Sequence, residues 1–161
     1  LKSEGVYKEG KTHGLWRHWH SNGALAVFAN YRTGRLHGQH EEYYDSGQLK
    51  QKSTYLNAKK HGLHQEWYPD GKLALEANYQ HHKLHGWSKT FFPNGNKETE
   101  ARFENQELHG EAYSWYEDGS RRSKLIYDKG KLHGLAELWP PDEGKVCERY
   151  EQDQQVGTGC P

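Results

Sequence analysis

The dipeptide His-Gly occurs at His13-Gly14, His37-Gly38, His61-Gly62, His85-Gly86, His109-Gly110 and His133-Gly134, 24 residues apart every time. A fixed period in the range of roughly 20 to 50 residues marks an array of like supersecondary units, each burying its apolar side only by stacking on its neighbours. The period divides the chain into a half repeat (1–13), repeats 14–37, 38–61, 62–85, 86–109 and 110–133, a distorted last repeat (134–156) and a tail (157–161). All of it reads as a single array.

Within each unit, two short runs rich in aromatic residues are bounded by Gly, Asn and Asp, too short for ordinary helices, and so they read as strands. One aromatic slot holds Trp19, Tyr43, Trp67, Phe91, Trp115 and Trp139; a second holds Tyr7, Tyr31, Tyr55, Tyr79, Phe103, Tyr127 and Tyr150. Between them a turn Gly recurs as Gly23, Gly47, Gly71, Gly95 and Gly119, then slips to Gly144, where the last hairpin carries one extra residue and its following strand is shorter by two. At Val156-Gly157, Val replaces His and the array ends.

Pro69-Asp70-Gly71 and Pro93-Asn94-Gly95 argue against a two-residue primed hairpin, because Pro lacks the N–H that such a turn pairs. A three-residue loop fits, with Pro opening a type I turn and Gly taking a left-handed bulge position. In that register Trp19 faces Leu25, and strict alternation puts Trp19, Leu25, Ala29 and Tyr31 on one apolar face. The other face, carrying His18, Ala24, Asn30, Glu42, Lys50 and Glu76, is then solvated. The second turn holds Gly10, Gly34 and Gly130, but Ala58, His82 and Gln106 in other units, and its type stays open. Leu36, Leu84, Leu108 and Leu132 are expected to touch the neighbouring unit. The expected fold is all-β: an elongated single-layer antiparallel meander of stacked β-hairpins, rising about 10 Å per 24-residue unit.

Leu, Ile, Val and Phe make up only about 15% of the 161 residues, a level usual for disorder, but zero formal net charge and aromatic residues at set positions point to a structured repeat. There is no Lys/Arg run beyond pairs such as Lys59-Lys60 and Arg121-Arg122, so neither nucleic acid nor an anionic membrane is a favoured partner. No stretch has the length and apolarity to span a bilayer, and the chain reads as soluble. Without Met at position 1 it is expected to be a processed or excised segment, so its compartment is not readable. Cys147 and Cys160 either close a short disulfide loop or stay separate thiols.

The segments "HGLHQEWYPDGKLALEANYQHHKLHG" (61–86) and "HGEAYSWYEDGSRRSKLIYDKGKLHG" (109–134) resemble the MORN-variant repeat, a subtype common among bacterial antitoxin-like proteins. The resemblance covers nearly the whole chain. It implies an elongated sheet of stacked hairpins serving as scaffold or binding surface. Lys97 and Arg121, in place of the apolar Leu, and the last repeat depart from the pattern, and partner surface or capping is expected to differ there.

The six His-Gly histidines form a row, but equivalent residues about 10 Å apart are too distant to share a Zn ion with bonds of about 2.1 Å. They read as structural markers, the ring bonding a backbone carbonyl, and no metal or cofactor is expected. The Gly after each His reads as a residue of special backbone geometry or of close packing under an aromatic ring. No GxxxxGK[ST] or GxSxG context is present, and nothing interrupts the repeat to form a catalytic pocket, so no catalytic residue is assigned. The candidate binding residues are the aromatic column Trp19, Tyr43, Trp67, Phe91, Trp115 and Trp139. A protein partner is the first expectation, and the two open sheet edges also allow homodimerisation. A glycan or cell-wall ligand stacking on the aromatic ladder is the alternative.

Overall fold

The computed structural model describes residues 2–161, which contain no helix. Contacts divide the chain into two compact units, residues 1–83 and 84–161. In the first, β1 (Ser3–Lys8), β2 (Lys11–Trp19), β3 (Leu25–Arg32), β4 (Arg35–Tyr43), β5 (Leu49–Leu56), β6 (Lys59–Trp67) and β7 (Leu73–Gln80) lie side by side in chain order. The second holds β8 (Lys83–Phe91, entered at its first residue), β9 (Lys97–Glu104), β10 (Glu107–Trp115), β11 (Arg121–Asp128), β12 (Lys131–Leu132), β13 (Gly134–Leu138), β14 (Val146–Glu151) and β15 (Gln154–Thr158). There β12 and β13 both pair with β11. The all-β antiparallel meander expected from the period is present in both units.

The hairpin loops are of the expected three-residue kind. The N–H of Gly23 donates to the His20 carbonyl (3.0 Å), closing a type I turn, and the N–H of His20 donates to Ala24 O (2.8 Å) across the loop. The same pair of bonds closes the loops at Gly47, Gly71, Gly95 and Gly119, whose φ values of 85 to 94° only glycine adopts without strain. Residues before these glycines lock the turn, as Asn22, Asp70, Asn94 and Asp118 accept a bond from the backbone N–H two residues on. In the last hairpin Pro140 and Pro141 replace this scheme, and β14 has six residues against the eight of β3.

The second turn is a type I′ hairpin in every unit. Both residues are left-handed: Glu9-Gly10, Thr33-Gly34, Asn57-Ala58, His81-His82, Asn105-Gln106, Lys129-Gly130 and Gln152-Asp153, with φ of 49 to 52° at the first and 66 to 82° at the second. The N–H of the second residue reaches back one unit: Gly34 donates to Thr12 O, Ala58 to Leu36 O, Gln106 to Leu84 O and Gly130 to Leu108 O, at 2.7 to 2.8 Å. These bonds staple each hairpin to the one before.

Two kinds of bulge set which side chains share a face. Leu36 pairs with Tyr31 but His40 pairs with Ala29, so the His37-Gly38 strand carries two extra residues against β3. The same insertion follows Lys60 and Leu108. An even insertion leaves the alternation in phase. Each His-Gly glycine has φ of 74 to 98°, and a Cβ on Gly14 or Gly62 would meet nothing within 4 Å. Of the two readings of this Gly, backbone conformation is therefore the right one there. The second bulge is odd: Trp19 pairs with Leu25 but His18 with Val27, leaving Ala26 unpaired, and the shift recurs at Tyr43, Trp67, Phe91 and Trp115.

This odd bulge corrects the expected face. Trp19 and Leu25 lie on one side, while Ala29 and Tyr31, paired with Trp16 and Gly14, lie on the other. Ring contacts agree: Tyr31 meets Trp16, Tyr55 meets His40 and Tyr79 meets His64 at 5.6 to 6.3 Å. On the opposite side Tyr43 bonds Glu41, and Trp115 stacks on Tyr113. The two aromatic slots thus occupy opposite faces, called below the aromatic face (Trp19 side) and the column face (Tyr31 side).

Candidate functional site

The predicted binding residues lie on the aromatic face, Trp19, Tyr43 and Trp67 in the first unit and Phe91, Trp115 and Trp139 in the second, all half-buried. In the first unit each stands opposite a leucine (Leu25, Leu49, Leu73), whereas in the second Phe91 stands opposite Lys97 and Trp115 opposite Arg121. Those cations lie over rings: Lys97 Nζ is 4.8 Å from the Trp115 centroid, and Trp139 has Arg121 at 5.4 Å and Lys145 at 5.6 Å. Lys97 pairs with Glu100, Lys124 with Glu111 (3.0 Å) and Lys145 with Glu137. The bond from Tyr113 OH, with that from Lys124, holds the Glu111 carboxyl below the usual range, and the bond from Lys145 does so for Glu137. In the first unit Glu41 links Tyr43 and Lys52, and burial together with the Glu41 bond pushes the Tyr43 phenol up to about 12. Leu15 (42% exposed) and Leu63 (44%) stand bare on this face of the first unit.

The column face holds a set of residues of which the sequence pattern singled out Ala29 alone. Trp16, Ala29, His40, Ser53, His64 and Ala77 stand opposite one another from β2 to β7. Ala29 and Ser53 are 1% exposed and His64 2%. Ser53 Oγ lies 2.7 Å from His64 Nδ1, and His64 Nε2 lies 2.8 Å from Glu66 Oε1. A carboxylate only accepts, so Nε2 carries the proton, and Nδ1 accepts from the Ser53 hydroxyl. Lys60 Nζ stands 3.3 Å from the same Nε2 and 5.3 Å from the Tyr79 ring. Burial lowers the His64 pKa, against the pull of Glu66, and burial likewise lowers that of His40. Ser53, His64 and Glu66 are the residue types of a hydrolytic triad, but a nucleophile this buried cannot meet an acyl group; the chain of bonds fixes the column. The signal in the sequence is the residue three after each His-Gly histidine, facing Ala29, Ser53, Ala77 and Ala101 at the same period.

The His-Gly histidines do not make the ring-to-carbonyl bond expected of them at Nδ1 of His37 or His61, which is buried without a partner. His109 instead meets carboxylates, Asp128 at 3.5 Å and Glu104 at 3.9 Å. Among the described residues no three His, Cys, Asp or Glu side chains come together as metal ligands would. Cys147 and Cys160 form a disulfide across 13 residues, tying β14 to the segment after β15. Among the described residues no helix is long and apolar enough to cross a membrane.

Within each compact unit, successive repeats are also tied at the loop end. The residue after a slot aromatic reaches the next repeat's backbone: Tyr44 OH donates to Trp67 O (2.8 Å) and Tyr116 OH to Trp139 O (3.0 Å), while His20 Nε2 lies 2.9 Å from Tyr43 O. Three stretches, residues 36–57, 60–81 and 108–129, match the MORN repeat variant family. Each match starts one residue before a His-Gly position and runs through the three-residue loop to the first residue of the type I′ turn. No curated protein matches the chain.

Proposed function

We propose that this chain is a non-catalytic repeat module that binds a partner protein through its aromatic face. The observation that carries the reading is the make-up of that face in the first unit. Bare Leu15 and Leu63 lie on the same face as half-buried Trp19 and Trp67, four residues along their strands, and the polar row that holds Arg17, Glu41 and Lys52 runs between the two apolar rows. Apolar anchors with a polar border are how protein interfaces are built. The match to MORN repeats, which generally serve as structural or binding modules, supports the class and names no partner. Antitoxin action would be one instance of such binding. Glycan stacking fits less well, because a sugar needs a bare ring face and Trp19, Trp115 and Trp139 each have a Lys or Arg over theirs.

The test is affinity capture with the intact chain beside its Leu15→Glu and Leu63→Glu variants, whose side chains are exposed enough to leave melting unchanged. A protein retained by the native chain and lost with either variant is the expected result. Retention on purified cell wall that survives high salt and disappears with Trp67→Ala would favour the glycan reading, and turnover of a substrate would overturn both.

A further inference from the structure

The described buried side-chain nitrogens and oxygens that lack any hydrogen-bond partner are Nδ1 of His37, His40 and His61, all in the first unit. His40 and His64 also stand in that unit's buried column, on either side of Ser53. At the same places the second unit has Ser88, Ala112 and Ala136, aligned with Ala101 and Leu125 and with no imidazole.

We propose that the His40–Ser53–His64 column is an acid-operated switch, in which protonation of the buried imidazoles loosens β4 to β6 while the second unit keeps its packing. Burial and hydrogen bonding give the reason. Ser53 donates to Nδ1 of neutral His64; a proton on that nitrogen makes the hydroxyl turn round to accept and puts a positive charge on a ring only 2% exposed. A proton on His40 Nδ1 would be a buried donor facing no acceptor.

The surrounding charges do not reverse this. Around His40, β4 supplies Glu42 (Oε1 3.9 Å from Nε2) and Glu41, β5 supplies Ser53 and the Tyr55 ring, β6 supplies Lys60, and β3 presents Ala29. Around His64, β6 supplies Glu66 and Lys60, β5 supplies Ser53 and the Lys52 backbone, and β7 supplies Ala77 and the Tyr79 ring. Lys60 opposes a second positive charge at either ring, and Glu42, Glu41 and Glu66 only partly offset burial.

The sign follows from linkage. Both histidines have folded values below the ordinary 6.5, so the unfolded segment binds more protons, and stability is full above 6.5 and lost as pH falls below it. An imidazole held neutral when folded raises the opening constant by about tenfold at about pH 5.5, so the pair sets a ceiling of about a hundredfold there.

Segment-resolved hydrogen exchange at about pH 7 and about pH 5.5, corrected for intrinsic rates, reads this directly in the intact chain. We expect opening of β4–β6 to rise tenfold or more at the lower pH, β10 and β11 to stay level, and the His40→Ser/His64→Ala variant, which borrows the second unit's residues, to lose the rise. An equal rise in the variant, or in β10 and β11, overturns the proposal. If the variant fails to fold at neutral pH, the native chain's imidazole resonances decide: His40 and His64 titrating at or above the ordinary value would overturn it.

Discussion

Replacing Gln106 by Gly should stabilise the second unit, although it removes a side chain. Gln106 is the second residue of a type I′ turn, with φ of 81°, and its side chain is exposed. Its N–H bond to Leu84 O (2.8 Å) is a backbone bond that the substitution keeps. An L-residue in the left-handed region costs about 1–2 kcal/mol, and the extra freedom of Gly in the unfolded chain returns about 0.5–1 kcal/mol of that. The net gain is about 0.5–1 kcal/mol. For a unit of this size, 1 kcal/mol moves Tm by about 4–8 °C, so the expected rise is about 2–8 °C in a thermal melt followed by circular dichroism. The opposite change at Gly130, where φ is 82° and an added Cβ would meet only Glu107 Cβ at 3.9 Å, should lower Tm by a similar amount. If Gln106→Gly lowers Tm while Gly130→Ala leaves it unmoved, conformational strain is not what limits these turns.

Ser53→Ala should cost about 1–3 kcal/mol by orphaning His64 Nδ1, and adding His64→Ala should recover part of it, a coupling that a denaturant double-mutant cycle measures. Tyr44→Phe removes the bond to Trp67 O and should cost about 1 kcal/mol in the same assay. Gly5→Ala places a Cβ where the Trp16 indole lies, so the ring must move, at about 1–3 kcal/mol, with a shift of Trp fluorescence. Reducing Cys147–Cys160 opens a loop of 13 residues and should remove up to about 3 kcal/mol from the last hairpin, seen as faster exchange in β14 and β15 but not in β10.

The architecture was legible because its determinants are local and repeat. Pro69 and Pro93 excluded a primed turn after the aromatic slot, and Gly at the third loop position specified the bulged loop that Tyr68 and Phe92 close. The type I′ turn was not legible, because Asn57-Ala58, His81-His82 and Asn105-Gln106 carry no Gly where Gly10, Gly34 and Gly130 do, and the stapling bond to the previous unit overrides the propensity. The aromatic column could be read as a column, but not onto the right face, because no residue type announces the unpaired Ala26. Its equivalents are Lys50, Ala74, Glu98 and Arg122, with nothing in common but position. The buried histidines were missed for a related reason: one residue's slip in phase placed His40 and His64 on a face expected to be solvated.

The two bulges divide the labour of the repeat. The His-Gly insertion is even and keeps Tyr31, Tyr55 and Tyr79 over the buried column; the insertion at Ala26 is odd and sends Trp19, Tyr43 and Trp67 to the other side. Opposite the larger Trp16, His40 and His64 the column keeps small residues, Ala29, Ser53 and Ala77, whereas Leu125 takes that position where it faces Ala112. The aromatic face has no such constraint: Leu25, Leu49 and Leu73 give way to Lys97 and Arg121 with the hairpins unchanged. Recognition can therefore be rewritten on one face without cost to the other. In the first unit His40 and His64 are the described column residues that ionise, and the protein's response to acid is accordingly expected to come from the face that does not carry the proposed binding surface.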